Sequence, residues 1–366
     1  MAIKIDVIEL TEILDITPTN QNLMIVGKHG IGKSDIIKAY YEGKNKKVVA
    51  FFLGQMSDPG DLIGLMFKNE TTGHSEFLPP YWWPTNNEGI VLFLDEMNRA
   101  RPEILQSVMD LTLNRTLAGK KLPEGSIVIS AINEGDEYQL TDLDPALVSR
   151  FNVYHFHPSV QDWLIWADKK GIDKRVTQFI QQNPTFLDSD DASDVYKDGF
   201  AQSLSKSPDR RAWVRVSDIV KPLKDLKNNH VKIIAGMVGL QAATHFRKSL
   251  ATFLSVKPEQ ILLDFLNHKL ALKKLRFTDL VLLNEQIMIW LNGDHVNKLD
   301  KTLIVKNLEQ YLKFLKTDKH NEAIAHFAAM LEDKKFSKVA GWVLIDSAEI
   351  MKLFEQFIGE IQLVNK

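Results

Sequence analysis

The chain contains no cysteine, which excludes a disulfide framework, a thiolate metal site and a cysteine nucleophile, and makes a reducing cytoplasm the expected setting. Long hydrophobic runs are missing too. No apolar stretch approaches the roughly 18 to 20 residues of a membrane span, and Met1-Ala2-Ile3-Lys4-Ile5-Asp6 lacks the apolar segment of a signal peptide. Nor is there an excess of one charge: 45 Lys and Arg against 47 Asp and Glu leave a formal net charge of -2, so nothing global draws the chain to nucleic acid. What is present is apolar side chain, 45% of 366 residues, enough to support real cores in about two or three domains.

The segment Gly27-Lys28-His29-Gly30-Ile31-Gly32-Lys33-Ser34 fits the phosphate-binding pattern GxxxxGK[ST]. Leu23-Met24-Ile25-Val26 before it reads as a buried strand, and Asp35-Ile36-Ile37-Lys38-Ala39-Tyr40 after it as the opening of a helix. Glycines at 27, 30 and 32 let backbone amides converge on a polyphosphate, and the helix N-terminus adds partial positive charge. Lys33 would reach the β and γ phosphates of ATP, and the Ser34 hydroxyl would ligate Mg²⁺. Residues 27 to 35 form the expected nucleotide cradle.

Val48-Val49-Ala50-Phe51-Phe52-Leu53 reads as a second strand. The following stretch is irregular, with turn residues over Ser57 to Gly64 and the cluster Pro79-Pro80-Tyr81-Trp82-Trp83-Pro84. Its aromatics could stack on a base, but local packing that pins the loop is the favoured reading. Ile90-Val91-Leu92-Phe93-Leu94-Asp95-Glu96 is an apolar strand ending in two carboxylates, the form of a Walker B element. There Asp95 would hold Mg²⁺ and Glu96 would activate the attacking water. A helix should follow, carrying Ile104, Leu105, Val108, Met109 and Leu111 inward. Residues 114–125 suggest a hairpin turning near Ala118-Gly119, and Ser126-Ile127-Val128-Ile129-Ser130-Ala131 a further strand tipped by Asn133. Asn133 is either a turn residue or a group sharing the γ phosphate. A short helix ending at Arg150 precedes a fifth strand, Val153-Tyr154-His155-Phe156.

These residues resemble AAA+ ATPases of the MoxR or AAA_5 type. The resemblance covers about residues 20 to 220 and rests on GKHGIGKS, SDPGDLIGL, PPYWWP, LFLDEMNRA, KLPEGSIVISAIN and LDPALVSRF. It implies an α/β fold: an αβα core with a parallel five-stranded sheet over 1–158, a helical lid over 159–228 and a helical C-terminal region over 229–366. It further implies that Asn133 is sensor 1 and that Arg150 is an arginine finger entering a neighbour's site. On the physical side, an arginine supplied in trans is worth about 10³ to 10⁵ in rate, although surface ion pairs are the commoner fate of arginines. Residues 57 to about 84 would hold the insert in helix 2, and 115 to 122 the hairpin before sensor 1.

Lid helices are expected over Val160 to Lys170, Asp173 to Gln182 and Val214 to Lys224. The acidic run Asp188-Ser189-Asp190-Asp191-Ala192-Ser193-Asp194 lacks the Gly and Glu of an EF-hand and reads as a solvated loop. Ser207-Pro208-Asp209-Arg210-Arg211-Ala212-Trp213 is similar to the family's sensor 2 segment; Arg211 fits best, with Arg210 the alternative. Beyond it, helices are expected over Ile233 to Leu254, Pro258 to Leu272, Phe277 to Leu291, Asp300 to Leu315 and Ala348 to Ile361, with scattered lysines on a solvated surface.

The resemblance implies an ATPase acting as a ring, expected to be a hexamer, that remodels or activates a partner protein, with a separate von Willebrand factor A domain protein as the expected type of partner. The alternative is a nucleic-acid motor or a restriction or phage-associated ATPase, with Arg115, Lys120 and Lys121 on DNA. A nonhydrolysing scaffold fits poorly with Lys33, Asp95, Glu96 and Asn133 all present.

Overall fold

A computed structural model describes residues 3–134, 143–188, 206–250, 256–318 and 320–364. The chain divides into two compact units, Met1–Pro158 and Ser159–Lys366.

The first unit is built on strands β1 (Lys4–Ile5), β2 (Asn22–Lys28), β3 (Val48–Phe52), β6 (Val91–Asp95), β9 (Ile127–Glu134) and β10 (Phe151–Phe156), with the hairpins β4 (Leu65–Lys68)/β5 (Ser75–Leu78) and β7 (Thr116–Leu117)/β8 (Lys120–Lys121) outside it. The six main strands pair in the order β1-β10-β2-β9-β6-β3, every pairing parallel. The expected five strands are therefore joined by a sixth. It is the two-residue β1 at the edge beside β10, too short to show any periodicity.

Helices α1 (Val7–Ile16), α2 (Lys33–Gly43), α3 (Gly60–Ile63), α4 (Pro102–Asn114) and α5 (Pro145–Val148) complete this unit. A parallel sheet covered on both faces needs strands apolar on both faces, which is why β2 and β6 read as continuous hydrophobic runs rather than alternating ones. Met24, Val26, Leu92 and Leu94 enter one core with Ile104, Val108 and Leu111 of α4. Leu23, Ile25, Val91 and Phe93 enter the other with Leu10 and Leu14 of α1 and Ile37 and Tyr41 of α2. Trp82 is buried in the α4-side core with Trp83 packed against it, its ring 5.3 Å from that of Phe51. Tyr81 stays 90% exposed. Two of the three loop aromatics thus pin the segment as expected.

The second unit is helical. Helices α6 (Val160–Lys169), α7 (Lys174–Gln182), α8 (Arg210–Val220), α9 (Asn228–Val238) and α10 (Leu240–Ser249) surround one core containing Trp163, Phe179, Trp213 and Phe246. Residues from Val256 to Phe354 form another. Helix α8 runs four residues earlier than its hydrophobic pattern suggests, because the Asp209 carboxylate accepts from Ala212 N at 2.6 Å and starts it there. The expected long helix from Ile233 is two. Gly239 breaks it at φ 82°, where a Cβ would lie 2.4 Å from Lys206 O. Asp264, at φ -154° and ψ 65°, likewise divides Pro258–Leu263 from Phe265–Leu272. Helices Asn321–Glu332 and Ser337–Asp346 are additional. The acidic run beyond Asp188 lies outside the described residues.

One buried side chain ties the first unit together at the entry of β2. Asn22, 5% exposed, donates through Nδ2 to Thr112 O at 3.0 Å and Arg150 O at 2.9 Å. Thr112 O is one of the last carbonyls of α4, which the helix itself cannot satisfy. Asn22→Ala should lower the unfolding free energy by about 2 kcal/mol, the cost of leaving buried acceptors without a donor. Urea denaturation measures it; a loss under about 0.5 kcal/mol would show that other donors replace the amide.

Candidate functional site

The sheet order places the C-terminal ends of β2, β9 and β6 side by side, and the polar residues gather there. Gly27 lies directly opposite Asn133 in the β2–β9 ladder. The loop after β2 passes through left-handed glycines, Gly30 at φ 75° and Gly32 at φ 96°, conformations that a side chain with a Cβ rarely adopts. Gly32 is also the N-cap of α2 and has no side chain to cap its first N–H groups, which leaves that turn and its dipole facing the loop. Gly27 lies within β2, and glycine is needed there for a different reason: a Cβ would sit 2.8 Å from Phe156 O and 2.9 Å from Ile31 Cδ1. Ile31 is buried, whereas Lys28, His29 and Asp35 are exposed.

Lys33 is 5% exposed. Its ammonium donates to Gly27 O at 2.6 Å, Lys28 O at 2.8 Å and Asn133 Oδ1 at 2.9 Å. These three acceptors, two backbone carbonyls and one side-chain amide, orient the ammonium. Because Asn133 Oδ1 accepts from Lys33, its amide nitrogen must face the other way, and Nδ2 lies 3.4 Å from Glu96 Oε1. Asn133 is in turn held from behind: Asn98 Nδ2 donates to its carbonyl at 3.0 Å. A single amide therefore connects the lysine of the loop to the carboxylate at the end of β6.

Ser34 Oγ donates to Asp95 Oδ2 at 2.6 Å. A hydroxyl and a carboxylate side by side are hard oxygen donors, the set that suits Mg²⁺. Ser34 and Asp95 therefore fit the ion that accompanies a nucleoside triphosphate. Glu96 follows in a left-handed conformation, φ 55°, uncommon for a residue with a side chain and found where surrounding structure enforces it. Arg99 Nη1 meets Glu96 Oε1 at 3.1 Å. Gly54 makes room for that pair: a Cβ there would lie 2.8 Å from Arg99 Cβ and 3.3 Å from Glu96 Oε2. Sequence reasoning missed Asn98, Arg99 and Gly54. The signal was available only as two residues that looked like a helix opening and a glycine just past an apolar strand.

The structure thus brings together Gly27, Lys33, Ser34, Asp95, Glu96 and Asn133. It does not gather Arg150 with them: its Nη1 donates to Met109 O at 2.7 Å and the residue is half-buried at the start of β10. Arg211 lies in the second unit at the first turn of α8 and is exposed, while Arg210 is buried and paired with Asp188 at 2.8 Å. In the hairpin, Arg115 donates to Thr19 O at 2.8 Å and Ser126 O at 3.3 Å. Lys120 and Lys121 are exposed.

Residues 22–151 match the family model of the AAA domain, dynein-related subfamily. Over 162 residues the chain is 33% identical to a Thauera aromatica protein named "Putative chaperone BssE", a match covering 41% of this chain and 56% of that one. It thus spans little more than half the length of that relative. An uncharacterized Staphylococcus epidermidis protein, SERP0979, is 28% identical over 55% of this chain and 78% of its own. Among solved structures, a "putative ATPase" from Cytophaga hutchinsonii matches at 14% identity and TM-score 0.34, over 74% of this chain and 89% of that one. No helix among the described residues is long and apolar enough to cross a membrane.

The close approach at Gly27 gives a direct test of the cradle. Gly27→Ala must push either the Phe156 carbonyl or the start of the loop aside, so it should weaken binding of a fluorescent ATP analogue at least tenfold. An unchanged affinity would show that the contact yields without disturbing the loop.

Proposed function

With residues 22–151 belonging to the dynein-related AAA domain family, we propose that this chain binds MgATP at Gly27 to Ser34 and hydrolyses it. We further propose that it works in the cytoplasm as an oligomeric ring, a hexamer, whose turnover remodels or activates a partner protein. The observation that carries the reading is the Asn133 amide lying between Lys33 and Glu96. It places the group that would hold the γ phosphate and the group that would activate water on the two ends of one side chain.

The roles follow from the chemistry. Backbone amides of the loop and Lys33 hold the polyphosphate, aided by the α2 dipole. Ser34 and Asp95 would hold Mg²⁺, which would supply charge neutralisation for the triphosphate. Glu96 orients and deprotonates the attacking water, while Arg99 fixes its carboxylate and Asn133 senses the γ phosphate. The finger is Arg150, acting on a neighbouring subunit. For sensor 2, Arg211 is favoured over Arg210, since Arg210 is buried and committed to Asp188. The division into core, lid over 159–228 and C-terminal helices over 229–366 belongs to the same reading. The Thauera relative's name supports a protein client, and a von Willebrand factor A domain protein is the type of separate partner to seek. A DNA motor has weaker support, because the backbone carbonyls of Thr19 and Ser126 occupy Arg115.

Glu96→Gln should keep ATP binding within a few-fold and lower turnover by about 10² to 10⁴, the usual worth of a positioned base. Wild-type hydrolysis in that variant would remove Glu96 from the role. In a second experiment, chains carrying Arg150→Ala are mixed with chains carrying Glu96→Gln. The mixture should hydrolyse ATP where each variant alone does not, because an intact Glu96 then meets a neighbour's intact arginine. Full turnover by Arg150→Ala alone would refute the finger. Strong stimulation by DNA with a steep salt dependence would instead favour the motor.

A further inference from the structure

Behind the phosphate loop lies a second group of metal-binding side chains that the proposed ATPase chemistry does not use. Glu134 ends β9, one residue past Asn133. His155 lies near the end of β10, opposite Val26 of β2 and Lys4 of β1. His157 follows two residues later, its N–H continuing the ladder to Ile5 O at 2.8 Å. Residues two apart in a strand share a face, so the two imidazoles project together. Glu134 reaches them across the end of β2, and its Oε1 stands 2.5 Å from His155 Nδ1. One ligand atom from each of Glu134, His155 and His157 lies within 4.8 Å of the others. Glu134 and His155 are half-buried and His157 is exposed.

We propose that Glu134, His155 and His157 bind a Zn²⁺ ion, in a site separate from the nucleotide's Mg²⁺. Two imidazole nitrogens and one carboxylate oxygen form the three-ligand set that holds tetrahedral zinc and leaves a fourth position for water or a ligand. Mg²⁺ requires near-octahedral oxygen ligation, which two imidazoles cannot offer. Ligand atoms around tetrahedral zinc stand about 3.4 Å apart. The ligand atoms lie within 4.8 Å of one another, so no pair would close by more than about 1.4 Å. Glu134 Oε1 and His155 Nδ1, 2.5 Å apart, would open by about 0.9 Å; rotation of the exposed His157 and of the Glu134 side chain supplies both.

The position gives the site a consequence. It joins the ends of β9 and β10, the strands that flank β2. Phe156, between the two histidines, has its carbonyl 2.8 Å from where a Gly27 Cβ would lie, and Glu134 is bonded to Asn133. A bound ion would clamp together the two strands between which the phosphate loop leaves β2.

The test uses the untagged full chain, stripped with a chelator and free of nucleotide, titrated with Co²⁺ as a coloured substitute for Zn²⁺. One Co²⁺ per chain should bind with the intense visible absorption of tetrahedral cobalt; Zn²⁺ should displace it, and a thousandfold excess of Mg²⁺ should not. His157→Ala and Glu134→Gln should each weaken binding at least tenfold, whereas Lys33→Ala should leave it unchanged. His157 is exposed, so its replacement tests the ligand without unfolding the strand. Absence of the absorption in the wild-type chain, displacement by Mg²⁺ at parity, or undiminished binding in His157→Ala would overturn the proposal.

Discussion

The polar edge of the first unit depends on one register: Gly27 of β2 opposite Asn133 of β9. Parallel strands slip only in steps that would turn every side chain to the other face or move it by two residues. Here both faces of β2 are buried, so slipping would bury polar groups in two cores at once. The register is thereby fixed by hydrophobic burial far from the site, yet its effect is polar. It sets Asn133 within reach of Lys33, and because β6 lies on the far side of β9, the other end of the same amide meets Glu96. A buried lysine is tolerable only where acceptors are supplied without movement. The two carbonyls and the amide around Lys33 do this before any ligand arrives.

Unfavourable backbone geometry is gathered in the same place. Glu96 at φ 55° carries a conformational cost of order 1 to 3 kcal/mol. The apolar run Val91 to Leu94, buried on both faces, offsets it, and Asp95 Oδ1 accepts from Glu96 N at 2.9 Å to hold the turn. The result is a carboxylate directed back along the sheet edge toward Asn133 and Arg99. Gly54 supplies the empty volume that this turn requires. Strain, space and hydrogen bonds thus act on one residue.

What the sequence made legible follows from how local each signal is. The loop and the β6 carboxylates were readable because each motif occupies contiguous residues flanked by strongly apolar strands. Asn133 was readable as a strand-tip residue, although its two-sided role required the strand order. Arg99 and Asn98 were not: their partners Glu96 and Asn133 are reached across a 3-10 turn whose sequence looks like an ordinary helix start. β1 escaped because two residues have no period. In the helical unit, apolar spacing located most of the helices but missed Asn321–Glu332 and Ser337–Asp346 and ran through Gly239 and Asp264, where backbone conformation rather than hydrophobicity ends them. Asp209, directly before the paired arginines, is the cap that sets their register on α8.

That cap separates Arg210 from Arg211 by burial, and a related distinction bears on Arg150. Its bond to Met109 O does not commit the side chain. A guanidinium carries five N–H donors in a fork, and a bond to a neutral carbonyl contributes about 0.5 to 1.5 kcal/mol, whereas one to a charged oxygen contributes about 1.5 to 3. In the proposed finger role, exchanging the carbonyl for a neighbouring nucleotide's phosphate oxygens would therefore be favourable. The α4 carbonyl holds the Arg150 side chain in one ordered arrangement, so in that proposed role less side-chain entropy would be lost on engagement. The same backbone stretch is tethered by Asn22 through Arg150 O, which anchors the main chain independently of the side chain's partner.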